Sequence, residues 1–253
     1  DKKIKRPRPI SKRVWASLAK QPEKVIQEAF DEALHRDPNK QKRFCALVDG
    51  NNKQLSLLKK FAQLHNLNLT IVLDIRPVIE YLWKAAFAFY SDTSKQAEDW
   101  VSKRLQSILA GKSSSVASGM RRSATLRQLT TTQRQPVDAC ARYLLNNANY
   151  LKYDDYLKSG LPIATGVIEG ACRYLIKDRM DITGARWSLA GAEAVLRLRS
   201  LYISGDWDEY WRFHLLQEYK RNHKALYKDS IPLMKQVILA RCSITPPPLA
   251  MPI

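Results

Sequence analysis

The chain has 253 residues, of which 45% are hydrophobic, and this is enough apolar sequence for one large or two ordinary domains with a buried core. The composition therefore excludes a chain that is disordered throughout. The formal net charge of +18 favours a polyanionic partner, so we expect a nucleic acid, with an anionic membrane surface as the less favoured alternative.

The cysteines and the apolar runs narrow the class of protein further. The four cysteines show neither CxxC nor Cys/His spacing, so the pattern predicts neither a zinc site nor a disulfide framework. No run approaches the roughly eighteen apolar residues of a membrane span, and the amino terminus lacks the apolar core of a signal peptide. We therefore expect a reducing, cytoplasmic location and no membrane insertion.

The amino-terminal part predicts a linker, a strand and a helix. Residues 1–12 are basic and proline-rich, and because the chain opens on Asp1 rather than methionine we expect that a segment precedes it. Residues 14–18 fit a short strand. Pro22 suits a first helical turn, and helical spacing of the apolar residues that follow predicts a helix ending near Asp37: Val25, Ile26, Ala29, Phe30 and Ala33.

Two short apolar runs predict a β-α-β unit. Residues 44–48 end at Asp49, residues 69–73 end at Asp74, and residues 54–65 between them have a broad apolar helical face. A connection of this length joins parallel strands, so both aspartates should follow the carboxyl ends of neighbouring strands, about 4.8 Å apart. They are candidates for a site at this edge of the sheet, although an aspartate there also serves as a turn former or helix N-cap.

The middle of the chain predicts further helices. Pro77 suits the first turn of a helix over residues 78–90, and two more amphipathic patterns follow at 97–109 and 137–145. Residues 111–132 lie between those two patterns and carry four cations among small hydroxyl residues: Lys112, Arg121, Arg122 and Arg127. This segment is either a phosphate-binding loop or a solvated connector.

Residues 166–202 combine an acid with a basic, aromatic segment. Glu169, Arg173 and Lys177 recur every four residues, beside an apolar stripe formed by Ile168, Cys172, Leu175 and Ile176. The spacing alone fits either a functional acid or an ion-pair ladder on a solvated helix. Two cationic hydrogen-bond donors, Arg179 and Arg186, follow within two short secondary-structure elements. Trp187 adds a flat ring on which a base could stack.

The carboxyl-terminal part predicts two helices and a tail. A helix over residues 189–203 should bury Ala190, Ala194, Leu198 and Leu201. Residues 206–228 are aromatic and basic, and Trp207, Tyr210 and Trp211 are either core residues or a base-stacking surface. The proline-rich end, residues 241–253, should be disordered.

Five segments together resemble one protein family, in order and in spacing. They are RVWASL at 13–18, ALVDGNNKQLSLLKK at 46–60, TIVLDIRPVIEYLWKAA at 70–86, GLPIATGVIEGACRYLIKDRMDITGARW at 160–187 and SGDWDEYWRFH at 204–214. They resemble RNase H-like DDE transposases of bacterial insertion sequences, specifically the ISKra-type group, which is related to Mutator-like enzymes. The resemblance covers nearly the whole chain.

The resemblance implies an α/β RNase H-like fold with an all-helical insertion. It divides the chain into a basic linker at 1–12, a catalytic core at 13–90 and 160–204, a helical insertion at 91–159, a helical region at 205–240 and the tail at 241–253. The early strands of such a sheet would lie upstream of this chain.

The resemblance also implies DNA cleavage and strand transfer during transposition. Asp49, Glu169 and, secondarily, Asp74 would bind Mg²⁺ or Mn²⁺. The charge and spacing of the residues, rather than the resemblance, predict seven contacts with DNA: Arg121, Arg122, Arg173, Lys177, Arg179, Arg186 and Trp187. The partners would be transposon ends and target DNA, with homo-oligomerisation left open. The location would be the bacterial cytoplasm, at the nucleoid.

Two departures from the family pattern favour an incomplete or specialised copy. Pro77 stands where the family has a histidine, three residues past the second aspartate, and proline supplies no donor or ligand atom. The family's first, metal-bridging aspartate lies upstream of RVWASL, and no aspartate before Arg43 lies in an apolar run. We therefore keep two alternatives to an active transposase: a catalytically inactive DNA-binding remnant, and a remnant that does not fold alone.

Overall fold

The structure is a computed structural model that describes residues 10–92, 94–182, 184–225 and 227, without the side chains of residues 167–169. These residues form two compact units. One lies within Ser17–Ala185, and the other combines residues 10–16 with the described residues between 186 and 227. The described part is mostly helical with one two-stranded parallel sheet, so it is an α/β chain with a large helical part.

The elements follow one another in a fixed order along the described chain. They are α1 (Pro22–Arg36), β1 (Phe44–Val48), α2 (Asn52–Leu64), β2 (Leu69–Leu73), α3 (Ile75–Ala86), α4 (Lys95–Leu109), α5 (Ser113–Leu126), α6 (Thr131–Asn146), α7 (Tyr153–Lys158), α8 (Gly166–Cys172), α9 (Asp178–Met180), α10 (Leu189–Ser204) and α11 (Trp207–Tyr219). A 3₁₀ turn, Ala148–Tyr150, precedes α7. Two π-helical segments, Arg173–Lys177 and Lys220–Lys224, follow α8 and α11.

The predicted β-α-β unit is confirmed. β1 and β2 pair in parallel, with Phe44 opposite Leu69 and Val48 opposite Leu73. Asn51 caps α2 by accepting hydrogen bonds from the backbone N–H groups at 53 and 54, which satisfies two of the unpaired donors at that helix end. Four residues of α2 and Phe30 of α1 are buried on one side of the sheet: Leu55, Leu58, Phe61 and Ala62.

A larger core joins β2 to helices α3 to α7. Val72 and Leu73 of β2 are fully buried there together with Val78 and Leu82 of α3. Helices α4, α5, α6 and α7 complete this core with Ile108, Met120, Leu144 and Tyr153, each fully buried. Because fully burying one large apolar side chain contributes about 1.5–3 kcal/mol, this cluster fixes the position of β2 and of the residues that follow it.

Two predictions for short segments are wrong. Residues 14–18 are not a strand, because the backbone N–H of Val14 donates instead to the Ser204 hydroxyl at 3.0 Å. Residues 113–126 are helix α5 rather than a loop or a connector, and this helix buries Val116, Ala117, Met120 and Ala124. Its small residues allow close packing against α6.

The stripe predicted beside Glu169 is only partly confirmed. Leu175 is buried and Ile176 is half-buried, but Cys172 is exposed and Ala171 is buried in its place. The 3.6-residue period assumed for this helix fails because residues 173–177 form a π-helical segment with i to i+5 hydrogen bonds. The predicted place of Ile168 lies outside the described side chains.

The predicted buried face of α10 is wrong. Ala190, Ala194 and Leu198 are exposed, and the buried residues are Ala192, Glu193, Leu196 and Ser200. Apolar residues occur on all sides of this helix, so the sequence does not mark one face. In α11 no described residue is buried, which contradicts a core position for Trp207, Tyr210 and Trp211. The predicted tail at 241–253 lies outside the described residues.

Candidate functional site at the carboxyl edge of the sheet

Asp49 and Asp74 follow the ends of paired strands. Val48 lies opposite Leu73, so the two aspartates come directly after a matched pair. The backbone N–H of Asp74 continues the pairing by donating to the Val48 carbonyl at 2.7 Å. The two acids therefore follow neighbouring strands at the carboxyl edge of the parallel sheet, as predicted. This is the edge at which α/β proteins place their ligand-binding sites.

Asp74 is buried, and both of its carboxylate oxygens accept hydrogen bonds. Its Oδ1 accepts from the backbone N–H of Arg76 at 2.9 Å, which makes Asp74 the N-cap of α3. Its Oδ2 accepts from the backbone N–H of Thr165 at 3.1 Å and from the Thr165 hydroxyl. Only 3% of Asp74 is exposed. The side chain therefore performs the N-cap role that the sequence left open, and it also binds a segment far along the chain.

The bond to Thr165 places the start of α8 at the same edge. The backbone N–H of Ile75 donates to the Ile163 carbonyl at 3.0 Å, so two residues of this segment are held beside Asp74. Helix α8 begins at the next residue, Gly166, and Glu169 lies three positions later, about 5 Å along the helix axis. The Glu169 side chain lies outside the described residues, so the expected approach of its carboxyl group to Asp49 stays a prediction.

Asp49 differs from Asp74 because its side chain is exposed. Its Oδ1 accepts a hydrogen bond from the backbone N–H of Asn51 at 3.2 Å, which shapes the turn into α2. Gly50 adopts φ +95°, and a Cβ there would lie 2.7 Å from Leu73 Cδ2. This position therefore requires glycine, and the turn directs the chain away from β1 while Asp49 stays accessible at the edge.

Tyr143 of α6 closes the buried side of the site, and the sequence patterns did not single it out. Its ring stacks on Tyr81 with centroids 4.4 Å apart, and a Cβ on Gly50 would lie 3.4 Å from its hydroxyl. That hydroxyl is buried and has no hydrogen-bond partner among the described residues. Burial raises the pKa of Tyr143, and Tyr81 and the carboxylates of Asp49 and Asp74 raise it further.

A second tyrosine supports the same edge from α7. The Tyr153 hydroxyl donates to the Leu73 carbonyl at 3.0 Å, at the last residue of β2. Burial raises the pKa of Tyr153, with smaller contributions from Tyr143 and Asp74. Tyr143 lies within the amphipathic pattern at 137–145 and Tyr153 outside the predicted helices, so no sequence signal marked either one.

The donor set of the edge suits a hard cation only in part. Exposed carboxylate oxygen is the ligand that Mg²⁺ prefers, and Asp49 supplies it. Asp74 offers oxygens that are already engaged, and Pro77 in the first turn of α3 supplies none. Among the described residues, no group of three or more His, Cys, Asp or Glu side chains could hold a metal ion. The Glu169 side chain is not among them.

The predicted DNA-contacting residues of the first unit lie on helices and are solvent-accessible. Arg121 Nε lies 3.4 Å from Asp138 Oδ1, and Arg173 Nε lies 3.6 Å from Asp178 Oδ1. The second pair has the i, i+5 spacing of the π-helical segment. Arg122, Lys177 and Arg179 are exposed on α5, in the π-helical segment and on α9.

The second unit carries the remaining predicted DNA-contacting residues. Arg186 is exposed and Trp187 is half-buried. An aromatic cluster occupies α11, where the rings of Trp207 and Trp211 meet edge to face at 5.6 Å and Trp211 meets His214 at 5.1 Å. These rings are all at least partly exposed.

Comparisons with protein-family models, with curated proteins and with solved structures found no match. Within the described residues, no helix combines the length and the apolar character needed to cross a membrane.

Proposed function

We propose that this chain is part of an RNase H-like DNA transposase, and that the carboxyl edge of β1 and β2 contributes to the site of phosphodiester cleavage and strand transfer. Asp49 and Glu169 are the metal-binding carboxylates of this proposal. Asp74 is a positioning residue, because hydrogen bonds occupy both of its oxygens.

One observation carries the proposal. Asp74 lies beside the exposed Asp49 at the ends of paired strands and also binds Thr165, the residue directly before the helix that carries Glu169. Two carboxyl-bearing positions and the start of the helix that carries a third thus meet at one edge of the sheet, which supports a place for Glu169 there. A solvated surface helix needs no such bond, so the arrangement favours a functional acid at position 169 over an ion-pair ladder.

Mg²⁺ or Mn²⁺ is the cofactor that fits this chemistry. When bound, such an ion activates the attacking oxygen and stabilises the leaving oxygen of a phosphodiester. Asp49 and Glu169 would hold it, with Asp74 fixing the start of α8 and hence the position of Glu169. The half-buried rings of Tyr143 and Tyr81 stack on each other at the protein side of this edge.

DNA is the proposed partner because the charge of the chain suits it. The net charge of +18 is large for 253 residues, and each phosphate that a cation neutralises releases a counterion. Arg122 and Lys177 are exposed cations on the same unit as Asp49, with no ion pair in the described part of the structure. These two residues are the proposed contacts with the sugar-phosphate backbone, which position DNA without reading its sequence.

Metal binding tests the proposal without requiring turnover. Free Mn²⁺, measured by electron paramagnetic resonance, should fall when the protein is added. Asp49→Asn and Glu169→Gln should each weaken Mn²⁺ binding by about tenfold or more, because each removes an anionic ligand. Asp31→Asn, which changes an exposed acid of α1, is the matched control and should bind as the wild type does. Equal binding by all four proteins would contradict the proposal.

A second candidate function is DNA binding without cleavage. It is favoured by the hydrogen bonds that already engage both oxygens of Asp74, which leave Asp49 as the more open carboxylate among the described residues of the edge. A DNA-binding protein of this kind would bind DNA with unchanged affinity when Mg²⁺ is replaced by a chelator. A metal-dependent site would bind a DNA end more tightly with Ca²⁺ present, and Asp49→Asn would remove that gain.

A further inference from the structure

A cavity of ≈ 470 Å³ lies away from the carboxyl edge, in the helical part of the same unit. It is lined by Phe89 and Tyr90, which follow α3, by Trp100 and Arg104 of α4, and by Arg127 at the end of α5. The cavity therefore combines three aromatic rings with two guanidinium groups. No feature of the carboxyl edge depends on these residues.

Aromatic rings and neutral oxygens hold both guanidinium groups in place. The Arg104 guanidinium lies 3.6 Å from the centroid of the Trp100 ring and donates to the Trp100 carbonyl at 3.3 Å. The Arg127 guanidinium lies 5.0 Å from the Tyr90 centroid and donates to the Tyr90 hydroxyl at 3.0 Å and to the Phe89 carbonyl at 3.3 Å. Such contacts fix a cation without neutralising it.

Most of the donors of these two arginines remain for a ligand. A guanidinium group has five N–H donors, of which Arg104 uses one and Arg127 uses two in the described structure. Neither arginine forms an ion pair with a carboxylate of the described residues. The planar arrangement of the remaining donors matches the oxygens of a phosphate, which arginine binds in a bidentate manner.

The electrostatics of the cavity also favour an anion. The pKa of Arg104 is lowered to about 10, mainly by burial and in smaller part by the charge of Arg127. Two like charges held together in a partly desolvated cavity repel, and an anion between them would remove that repulsion. Lys103 adds a third cation to the lining, whereas Asp99 is the one acidic residue there, so cations outnumber acids.

We propose that this cavity is a binding site for a phosphate group, held by Arg104 and Arg127. The phosphate can come from a nucleic-acid backbone or from a free phosphate compound, since both present the same oxygens. The cavity has room for more than one phosphate, so part of a sugar or a neighbouring group also fits. The site does not rest on the function proposed for the carboxyl edge, and its test does not involve that edge.

Calorimetric titration of the full chain with inorganic phosphate tests the site. The wild type should bind saturably, and Arg127→Gln should weaken binding by about tenfold because it removes charge-assisted hydrogen bonds. Arg127 is exposed, so its removal leaves the Arg104 and Trp100 contact in place. Arg142→Gln is the matched control, because Arg142 is an exposed arginine of α6 outside the cavity lining.

Two further measurements identify the source of the bound phosphate and test binding independently of calorimetry. If Arg127→Gln weakens binding of a fluorescent oligothymidylate more than Arg142→Gln does, the bound phosphate belongs to the nucleic-acid backbone. If only inorganic phosphate is affected, the ligand is a free phosphate compound. In phosphate, compared with chloride of equal ionic strength, the melting temperature of the wild type should rise more than that of Arg127→Gln, because exclusion of phosphate from the surface stabilises both proteins and only the difference reports binding. Absence of that difference, or an equal loss in Arg142→Gln, would overturn the proposal.

Discussion

Replacing Thr165 by valine should destabilise the protein through the loss of one side-chain hydrogen bond. The Thr165 hydroxyl donates to Asp74 Oδ2, and Asp74 is only 3% exposed. Valine has nearly the same shape, so the change leaves no cavity but removes a donor from a buried carboxylate. Hydrogen bonds to charged groups contribute about 1.5–3 kcal/mol, so the free energy of unfolding should fall by that amount. For a protein of this size the melting temperature should fall by about 3–12 °C.

Chemical denaturation followed by circular dichroism measures this change, and hydrogen exchange locates it. Exchange of the amides of α8 should accelerate more than that of α2, because only α8 is tied to the edge through Thr165. Thr132→Val is the control, since Thr132 is exposed at the start of α6. If Thr165→Val were no more destabilising than Thr132→Val, the Thr165 hydroxyl would not help to hold the start of α8, and the argument for Glu169 would rest on the backbone N–H bond alone.

Three other changes test separate parts of the structure. If Lys177 contacts a DNA phosphate, Lys177→Gln should reduce the slope of log affinity against log salt by about one unit, whereas Lys95→Gln should not. Exposed Cys172 should react with a maleimide within minutes in native protein, as followed by mass spectrometry, whereas Cys140, whose pKa burial raises to about 12, should not. Tyr143→Phe removes a buried hydroxyl with no partner among the described residues, so the free energy of unfolding should stay equal or rise by about 1 kcal/mol. A marked loss would show that this hydroxyl is paired in solution.

The β-α-β unit was predictable because several local signals agree there. Each strand is a short apolar run that ends at an aspartate, and the connection is long enough for a parallel crossover. The structure adds the hydrogen bonds that the Asp74 side chain forms. Its contact with Thr165 spans 91 positions along the chain, and no local pattern reports a bond at that distance.

The errors arise where the sequence lacks a periodic signal. Helix α5 is rich in serine, so its composition resembles a loop, yet its small residues pack closely against α6. Helix α10 has apolar residues on all sides, so no face could be selected by periodicity. Directly after the exposed Cys172 the helix changes to a wider turn, over residues 173–177, and the spacing of side chains does not encode this change.

A crystal of the full chain soaked in Mn²⁺ gives the most direct test of the central claim, because anomalous scattering locates the ion. The proposal expects a Mn²⁺ peak at the carboxyl edge of the sheet, bonded to oxygens of both Asp49 and Glu169, with the two carboxyl groups about 4–8 Å apart. A structure with Glu169 on the opposite side of the unit from Asp49, and no peak at that edge, would contradict it.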